Sequence, residues 1–351
     1  MIMAGGTGGH IFPALAVAEF LRDEGWTVVW VGSRAGMEAR LIPQRGYAMA
    51  WIRFSGVRGR NWLQAALLPL HLLTAFWQSA RAIFAYRPHV VLGMGGYVSF
   101  PGAMMSVLFN RPLVIHEQNS IAGLANRVLA RISDRVLTTF PEAFREATAV
   151  IITGNPVRSE IAKMAPPENR YRARGGRLRV LVMGGSQGAR ALNTVVPDAL
   201  ALLSESVRPR VLHQAGAANV ETVRRRYDEC NVSAEVADFI ADMAARYAES
   251  DLVICRAGAT TVAEIAAAGV ASLLVPYPHS VDDHQTINAR FLADRGAALL
   301  IPQTEFTPQR LADVLTDVTR EKLLAMAQRA RAVGKPEATL AVAKVCMEMT
   351  A

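Results

Sequence analysis

Short β-branched and apolar runs alternate with longer stretches of helical periodicity nearly throughout the chain. Such alternation predicts parallel sheets covered by helices on both faces, an α/β class built from doubly wound, Rossmann-like domains. In the first half strands are expected at Ile2–Ala4, Thr27–Gly32, Val90–Gly93, Pro112–His116, Arg135–Thr139 and Val150–Thr153. Helices are expected at Ile11–Glu24, Asn61–Tyr86, Pro101–Phe109 and Ala122–Ile132. The pattern then restarts with a strand at Arg179–Met183, a glycine turn and a helix at Ala189–Leu203. Further strands fit Arg210–Gln214, Ala234–Phe239, Asp251–Cys255, Ala271–Pro276 and Ala297–Ile301. The first strand is short, since a buried one usually needs about five residues. Either the natural beginning lies upstream of Met1 or this strand is a stub.

The glycine turns Gly5–Gly9 and Gly184–Gly188 occupy equivalent places in the two halves. Two Rossmann-like domains in tandem make a cleft, and ligands of such sheets bind at the carboxyl ends of the strands, so the active site is expected between the domains. Residues 1–157 form the expected first domain and 158–335 the second, with the last helix (residues 336–351) packing back onto the first. The strongest linker composition is Ala165-Pro166-Pro167-Glu168-Asn169-Arg170, with Gly154-Asn155-Pro156 as an earlier hinge.

Composition narrows the class. The 351 residues allow roughly two domains of about 150–200 residues, and 51% hydrophobic residues is too many for a disordered chain. Cys230, Cys255 and Cys346 lie far apart with no CxxC pair, which argues against a disulfide framework or zinc cluster and suits a reducing cytoplasm. A formal charge of +8 favours a polyanionic partner. The N-terminus runs straight into a glycine loop, so no cleavable signal peptide is expected. Two uncharged stretches, Asn61–Ala80 and Val90–Asn110, are too polar or too broken by Gly and Pro to be confident spans, so the chain is expected to be soluble or peripheral. The segment Trp62–Trp77 is nevertheless apolar on more than one helical face, notably at Trp62, Leu63, Leu67, Leu70, Leu73, Phe76 and Trp77, with Arg53, Arg58, Arg60, Arg81 and Arg87 around it. It reads either as a helix lying on anionic lipid or as one buried in the core. Scattered arginines without an RNA- or DNA-binding pattern argue against nucleic acid.

Gly5-Gly6-Thr7-Gly8-Gly9-His10 joins a strand to a helix, where glycines admit a ligand close to the backbone and the helix start offers N–H groups to an anion. A nicotinamide fingerprint is incomplete: Ile11 replaces the third glycine, and Val31-Gly32-Ser33-Arg34 supplies no acid for a ribose, although Arg34 tolerates a 2′-phosphate and keeps NADP as a rival. His10, at the mouth of the loop, is either a base or a brace. Gly184–Arg190 is a second anion loop but not Walker A. Thr261-x-x-Glu264 in the stretch Arg256–Glu264 fits a capping box, or else a helix start facing a diphosphate with Glu264 on ribose hydroxyls. His116-Glu117-Gln118-Asn119 crowds four polar groups at a strand end, and Gly93-Met94-Gly95-Gly96-Tyr97 is a further glycine turn on the same side. No metal-ligand cluster is evident, so no cofactor and no metal are expected.

In order and spacing, Met3–His10, Gly93–Ser99, His116–Asn119, Gly154–Arg158, Gly184–Arg190 and Gly258–Glu264 resemble the MurG family, the bacterial undecaprenyl-diphospho-muramoylpentapeptide β-N-acetylglucosaminyltransferases of glycosyltransferase family 28. The resemblance runs from Met3 to the C-terminal helix. It implies a GT-B fold and inverting, metal-independent transfer of GlcNAc from UDP-GlcNAc to the C4 hydroxyl of the muramoyl sugar of lipid I, giving lipid II and UDP. It implies a peripheral position on the cytoplasmic face of the inner membrane, with anionic lipids and other cell-wall synthesis proteins as partners. Donor contacts carry over to Thr7, Gly8, Gly9, Asn119, Arg158, Ser186, Ile240, Ala259, Thr260, Thr261, Val262, Ala263, Glu264 and Gln285. Acceptor contacts carry over to Gly5, Gly6, Gly95, Gly96 and Tyr97. His10 is the first choice of base, with Glu117 and His116 behind it. Rival readings are another GT-B transferase, a UDP-GlcNAc 2-epimerase, an NADP oxidoreductase and a non-catalytic sugar-nucleotide sensor.

Overall fold

The structure is a computed structural model that describes the chain except residues 55–66, 145–148, 173, 185–188 and 351, and the side chain at 281. It divides into two compact units, Met1–Arg158 with Glu337–Ala351, and Ser159–Pro336.

The first unit holds a seven-stranded, wholly parallel sheet in the order β3-β2-β1-β4-β5-β6-β7. Its strands are β1 (Ile2–Met3), β2 (Val29–Gly32), β3 (Ala48–Trp51), β4 (Val91–Gly93), β5 (Leu113–Glu117), β6 (Arg135–Thr138) and β7 (Val150–Ile152). Side chains alternate between two cores. Ile2, Trp30, Leu92 and Val114 join the layer with the Gly8–Asp23 helix; Met3, Val31, Val91 and Ile115 join the layer with the Leu68–Tyr86 and Ser99–Leu108 helices. Covering both faces with apolar side chains is why these strands read as continuous hydrophobic runs. Trp30 is wholly buried, and its indole N–H donates to the Ala4 carbonyl at 2.9 Å. The Ala338–Glu348 helix sends Val342, Ala343 and Cys346 into the same layer as the first helix, and Thr339 donates to the Val157 carbonyl at 2.9 Å.

The second unit repeats the plan in six parallel strands, β8 (Arg179–Met183), β9 (Arg210–Gln214), β10 (Glu235–Ala237), β11 (Leu252–Cys255), β12 (Ser272–Leu274) and β13 (Leu299–Leu300), in the order β10-β9-β8-β11-β12-β13. One core gathers Val180, Val182, Leu192, Val196, Leu252 and Ile254.

Two parts of the fold depart from the sequence reading, and the shortness of the first strand agrees with it. The strand β3 and the Glu38–Gln44 helix before it were not expected; Ala-Met-Ala-Trp has little β-branching, and β3 sits at the sheet edge, where packing demands are weakest. The first strand spans only Ile2–Met3, yet it pairs with both β2 and β4 in the middle of the sheet. The Ala165–Arg170 stretch is not the linker, because the chain passes between units at Arg158 and Ser159. Instead Pro167–Arg172 is a short helix whose arginine ties down other helix ends. Arg170 donates to the carbonyls of Tyr247 at 3.3 Å and Ala268 at 2.6 Å, and also to that of Gly269. Arg174 donates to the Ser250 carbonyl at 2.7 Å and pairs with buried Asp251 at 3.0 Å. Helix C-termini leave carbonyls unsatisfied, and these guanidiniums satisfy them, so an arginine-rich run that looks solvated is part of the packing.

His213 is buried between the Tyr227 hydroxyl (2.9 Å from Nδ1) and the Asn193 side-chain oxygen Oδ1 (3.1 Å from Nε2). Burial pushes its imidazole down to about 4 from 6.5. Between those values the unfolded chain takes up a proton that the folded one refuses, so stability falls as pH drops from about 6.5 to 4, by on the order of 3 kcal/mol for this group. Urea unfolding followed by far-UV circular dichroism, with tryptophan fluorescence separating the first unit that holds all five Trp, checks this. His213→Gln is expected to flatten the pH slope of the second unit; an unchanged slope would show that this ring is not held neutral.

Candidate active site

In a doubly wound sheet the crevice lies where the strand order reverses. That place is between β1 and β4 in the first unit and between β8 and β11 in the second. Three of these strands run into glycine-containing segments, Gly5–Gly9, Gly93–Gly96 and Arg256–Gly258, and β8 runs into Gly184. Residues 185–188, Ser186 among them, lie outside the described residues.

At the first switch point two backbones meet. A Cβ on Gly96 would stand 2.2 Å from the Gly5 carbonyl oxygen, and its φ is +83°, so no other residue fits without moving a loop. A Cβ on Gly5 would stand 2.6 Å from a Glu38 carboxylate oxygen. Glu38 is wholly buried and accepts from the Gly6 N–H at 3.1 Å and the Ser33 N–H at 2.9 Å. A buried carboxylate thus holds the glycine loop by its amides. Sequence reasoning missed Glu38; the signal was an acid beginning a short helix just after the Ser33–Gly36 turn.

Three motifs converge on His10, the third residue of the Gly8–Asp23 helix. Its Nδ1 lies 3.1 Å from the Gln118 side-chain oxygen, and the Gln118 amide nitrogen donates to the Met94 carbonyl at 2.9 Å. A Cβ on Gly95 would stand 2.6 Å from the same Nδ1, so the glycine turn forms the floor of the ring. Thr7, before the helix, is exposed and makes no side-chain capping bond, while Gly8 and Gly9 begin the first turn. Tyr97 is exposed.

The other two base candidates are engaged as supports. Glu117 accepts from the Asn119 N–H (3.0 Å) and Nδ2 (3.4 Å) with one oxygen, and from the Gly123 N–H (3.2 Å) and Asn126 Nδ2 (2.9 Å) with the other. His116 is wholly buried, its Nε2 lies 2.9 Å from the Gly154 carbonyl, and burial pushes it down to about 4. Of the three, His10 is the one whose ring is half-exposed. The His116 Nδ1, the Thr139 hydroxyl and both side-chain amide atoms of Asn155 are buried with no hydrogen-bond partner among the described residues. Arg158 is half-buried at the end of the first unit.

At the second switch point the Ala259–Ala268 helix starts after Gly258, which has no side chain to cap it, and carries no acid in its first turn. Its start is therefore suited to an anion. The capping box at Thr261-x-x-Glu264 is not formed: the helix begins two residues before Thr261, and Glu264, one and a half turns in, is buried and accepts from the Tyr247 hydroxyl at 3.3 Å. Thr260, Thr261 and Ala263 are half-buried on that helix, Ala259 and Val262 buried. Ile240 is buried after β10. Gln285 begins the His284–Ala293 helix with its neighbour His284, and its side-chain oxygen accepts from the Tyr277 N–H at 3.0 Å. Arg256 is occupied by the Val275 and Pro276 carbonyls (3.0 and 3.2 Å) and Gln303 (2.6 Å). Among the described residues no group of three or more His, Cys, Asp or Glu is arranged to hold a metal ion.

The Leu68–Tyr86 helix is neither buried all round nor polar outside. Ala75, Ser79, Ala82 and Ile83 face inward, while Leu70, Leu73, Trp77 and Phe84 are about 60% exposed, Leu67 half-exposed, and Phe76 lies against Phe100. Arg81 stacks on Trp77, 6.0 Å from the ring centre. Trp62 and Leu63 lie outside the described residues. No described helix is long and apolar enough to cross a membrane.

Residues 1–138 match the glycosyltransferase family 28 N-terminal domain and residues 179–344 the family 28 C-terminal domain. The chain is 57% identical, over 100% of its length and 98% of the relative, to a protein of Nitrosospira multiformis named UDP-N-acetylglucosamine–N-acetylmuramyl-(pentapeptide) pyrophosphoryl-undecaprenol N-acetylglucosamine transferase. It is 58% identical to the Cupriavidus metallidurans protein of the same name, over 99% of this chain and 97% of that one. The crystal structure of Acinetobacter baumannii MurG aligns over 99% of both chains with a TM-score of 0.85 at 39% identity.

Two substitutions test the crowding at the first switch point. Gly6→Ala, at φ +90° but with open space around it, is expected to lose only about 1–2 kcal/mol of stability through backbone strain. Gly96→Ala must also push the Gly5 backbone away and is expected to lose clearly more. Urea unfolding by tryptophan fluorescence compares them; equal losses would show that the two loops are not in contact.

Proposed function

The chain belongs to glycosyltransferase family 28, and we propose that it moves GlcNAc from UDP-GlcNAc to the C4 hydroxyl of the muramoyl sugar of undecaprenyl-diphosphate-linked lipid I, inverting the anomeric centre and releasing lipid II and UDP. The observation that carries this reading is the convergence of the Gly5–His10, Gly93–Ser99 and His116–Asn119 segments on one half-exposed imidazole at a sheet switch point. End-to-end identity to transferases of that name supports it.

In this reaction His10 takes the proton of the acceptor hydroxyl as its oxygen attacks the anomeric carbon. The bond from that carbon to the β-phosphate oxygen breaks, and UDP leaves with the electron pair. Negative charge growing on the diphosphate is received by main-chain N–H groups at the Ala259–Ala268 helix start, with Arg158 adding a cation. Donor contacts are assigned to Thr7, Gly8, Gly9, Asn119, Arg158, Ser186, Ile240, the stretch Ala259–Glu264 and Gln285. Glu264 takes the ribose hydroxyls, which would compete with its Tyr247 bond, and Gln285 takes the GlcNAc hydroxyls. Acceptor contacts are assigned to Gly5, Gly6, Gly95, Gly96 and Tyr97. No metal has a role in this scheme.

UDP release from UDP-GlcNAc is expected to require a lipid I analogue and to continue in excess chelator. Release without acceptor, or lost with chelator, would contradict the scheme. His10→Ala is expected to lower kcat roughly 10²- to 10³-fold; near wild-type turnover from about pH 6 to 9 would remove His10 as the base.

The lipid-linked acceptor places the reaction at a membrane surface, and the exposed Leu67–Phe84 face beside Arg81 and Arg87 is assigned to peripheral contact with anionic lipid on the cytoplasmic side. Leu70→Ser with Trp77→Ser is expected to reduce sedimentation with phosphatidylglycerol vesicles at least tenfold while leaving UDP-GlcNAc affinity unchanged. Equal sedimentation would move the membrane contact elsewhere.

A further inference from the structure

We infer that Gln118 is a positioning residue that selects the tautomer of His10, a proposal that deepens the transfer reaction above and rests on that reading for its chemical consequence. The Met94 carbonyl can only accept a hydrogen bond, so the Gln118 group 2.9 Å away is the amide nitrogen. That leaves the Gln118 carbonyl oxygen facing His10 Nδ1 at 3.1 Å. Because this oxygen also can only accept, Nδ1 carries the hydrogen, and the lone pair of the neutral ring resides on Nε2. The base that receives the acceptor's proton is therefore Nε2.

The arrangement is built to keep that choice. Gln118 is 1% exposed, so water does not compete for its amide. Gly95, at φ +90°, leaves the space that the imidazole occupies, since a Cβ there would stand 2.8 Å from Cε1. The Met94 carbonyl that orients the amide belongs to the same turn as Gly95. The Met94 N–H is itself fixed by the Met3 carbonyl of the neighbouring strand at 2.8 Å. The chain of orientation thus runs from the sheet through Met94 to Gln118 and then to the ring. As Nε2 gains a proton, the same Gln118 oxygen goes on accepting from Nδ1 of the cation, so no rearrangement is needed during transfer.

Nitrogen-15 NMR of the histidine rings at alkaline pH reads the tautomer in the substrate-free enzyme, with His10→Gln identifying the His10 signals. Nδ1 is expected in the pyrrole-type range and Nε2 in the pyridine-type range. A proton on Nε2 in the wild-type protein would overturn the inference, and this measurement needs no Gln118 variant to fold. In Gln118→Met, close in volume but without the acceptor, the two nitrogens are expected to move toward a mixed-tautomer average, and kcat to fall roughly tenfold to hundredfold with the KM for UDP-GlcNAc unchanged. An unchanged spectrum, or a KM effect without a kcat effect, would equally overturn it. Because the spectrum is taken without substrate, failure of the proposed transfer would leave the tautomer result standing, and failure of the tautomer would leave UDP release unaffected.

Discussion

Gly96 rests against the Gly5 carbonyl at a distance that no side chain allows, and this backbone contact sets what the first unit can do. It draws the ends of β1 and β4 together at the point where the strand order reverses. With Glu38 gripping the Gly6 and Ser33 amides from one side, the glycine loop is held without covering its outer surface. The first helix then starts with His10 on its first turn, over Gly95 and beside Gln118. Loops that stay small and main-chain-lined let a ligand approach the backbone closely.

The second unit solves a similar problem with a different helix. There the Ala259–Ala268 helix begins after an uncapped glycine, with no acid in its first turn. A macrodipole pointing outward from such a start favours negative charge. Glu264 is set back from the start and accepts from the Tyr247 hydroxyl. The two units therefore share a topology, but they present different groups at the switch point: a half-exposed imidazole in one and an uncapped helix start in the other.

Much of this was legible beforehand because parallel strands covered on both faces are apolar runs ended by glycine. That pattern marked β1, β2, β4, β8 and β11 and the segments after them, and it led to the two-domain α/β class that the sheets display. What escaped notice had physical reasons. The edge strand Ala48–Trp51 is weakly β-forming. Glu38 acts through its amide bonds to residues distant in sequence, which no local spacing reveals. Thr261-x-x-Glu264 has the letters of a capping box, but the helix start is decided by Gly258. The Ala165–Arg170 stretch has the composition of a linker because the partners that fix Arg170 are carbonyls more than seventy residues away. Gln118 stood inside a recognised motif, yet its role depends on the Met94 carbonyl, which only the sheet brings near.

Amide exchange on the full-length protein, with and without saturating UDP-GlcNAc, tests most directly whether main-chain N–H groups receive the diphosphate. The account predicts that exchange slows at the first-turn amides from Ala259 to Thr261, at the start of that helix. Unaltered exchange at those positions, with the donor demonstrably bound, would contradict it.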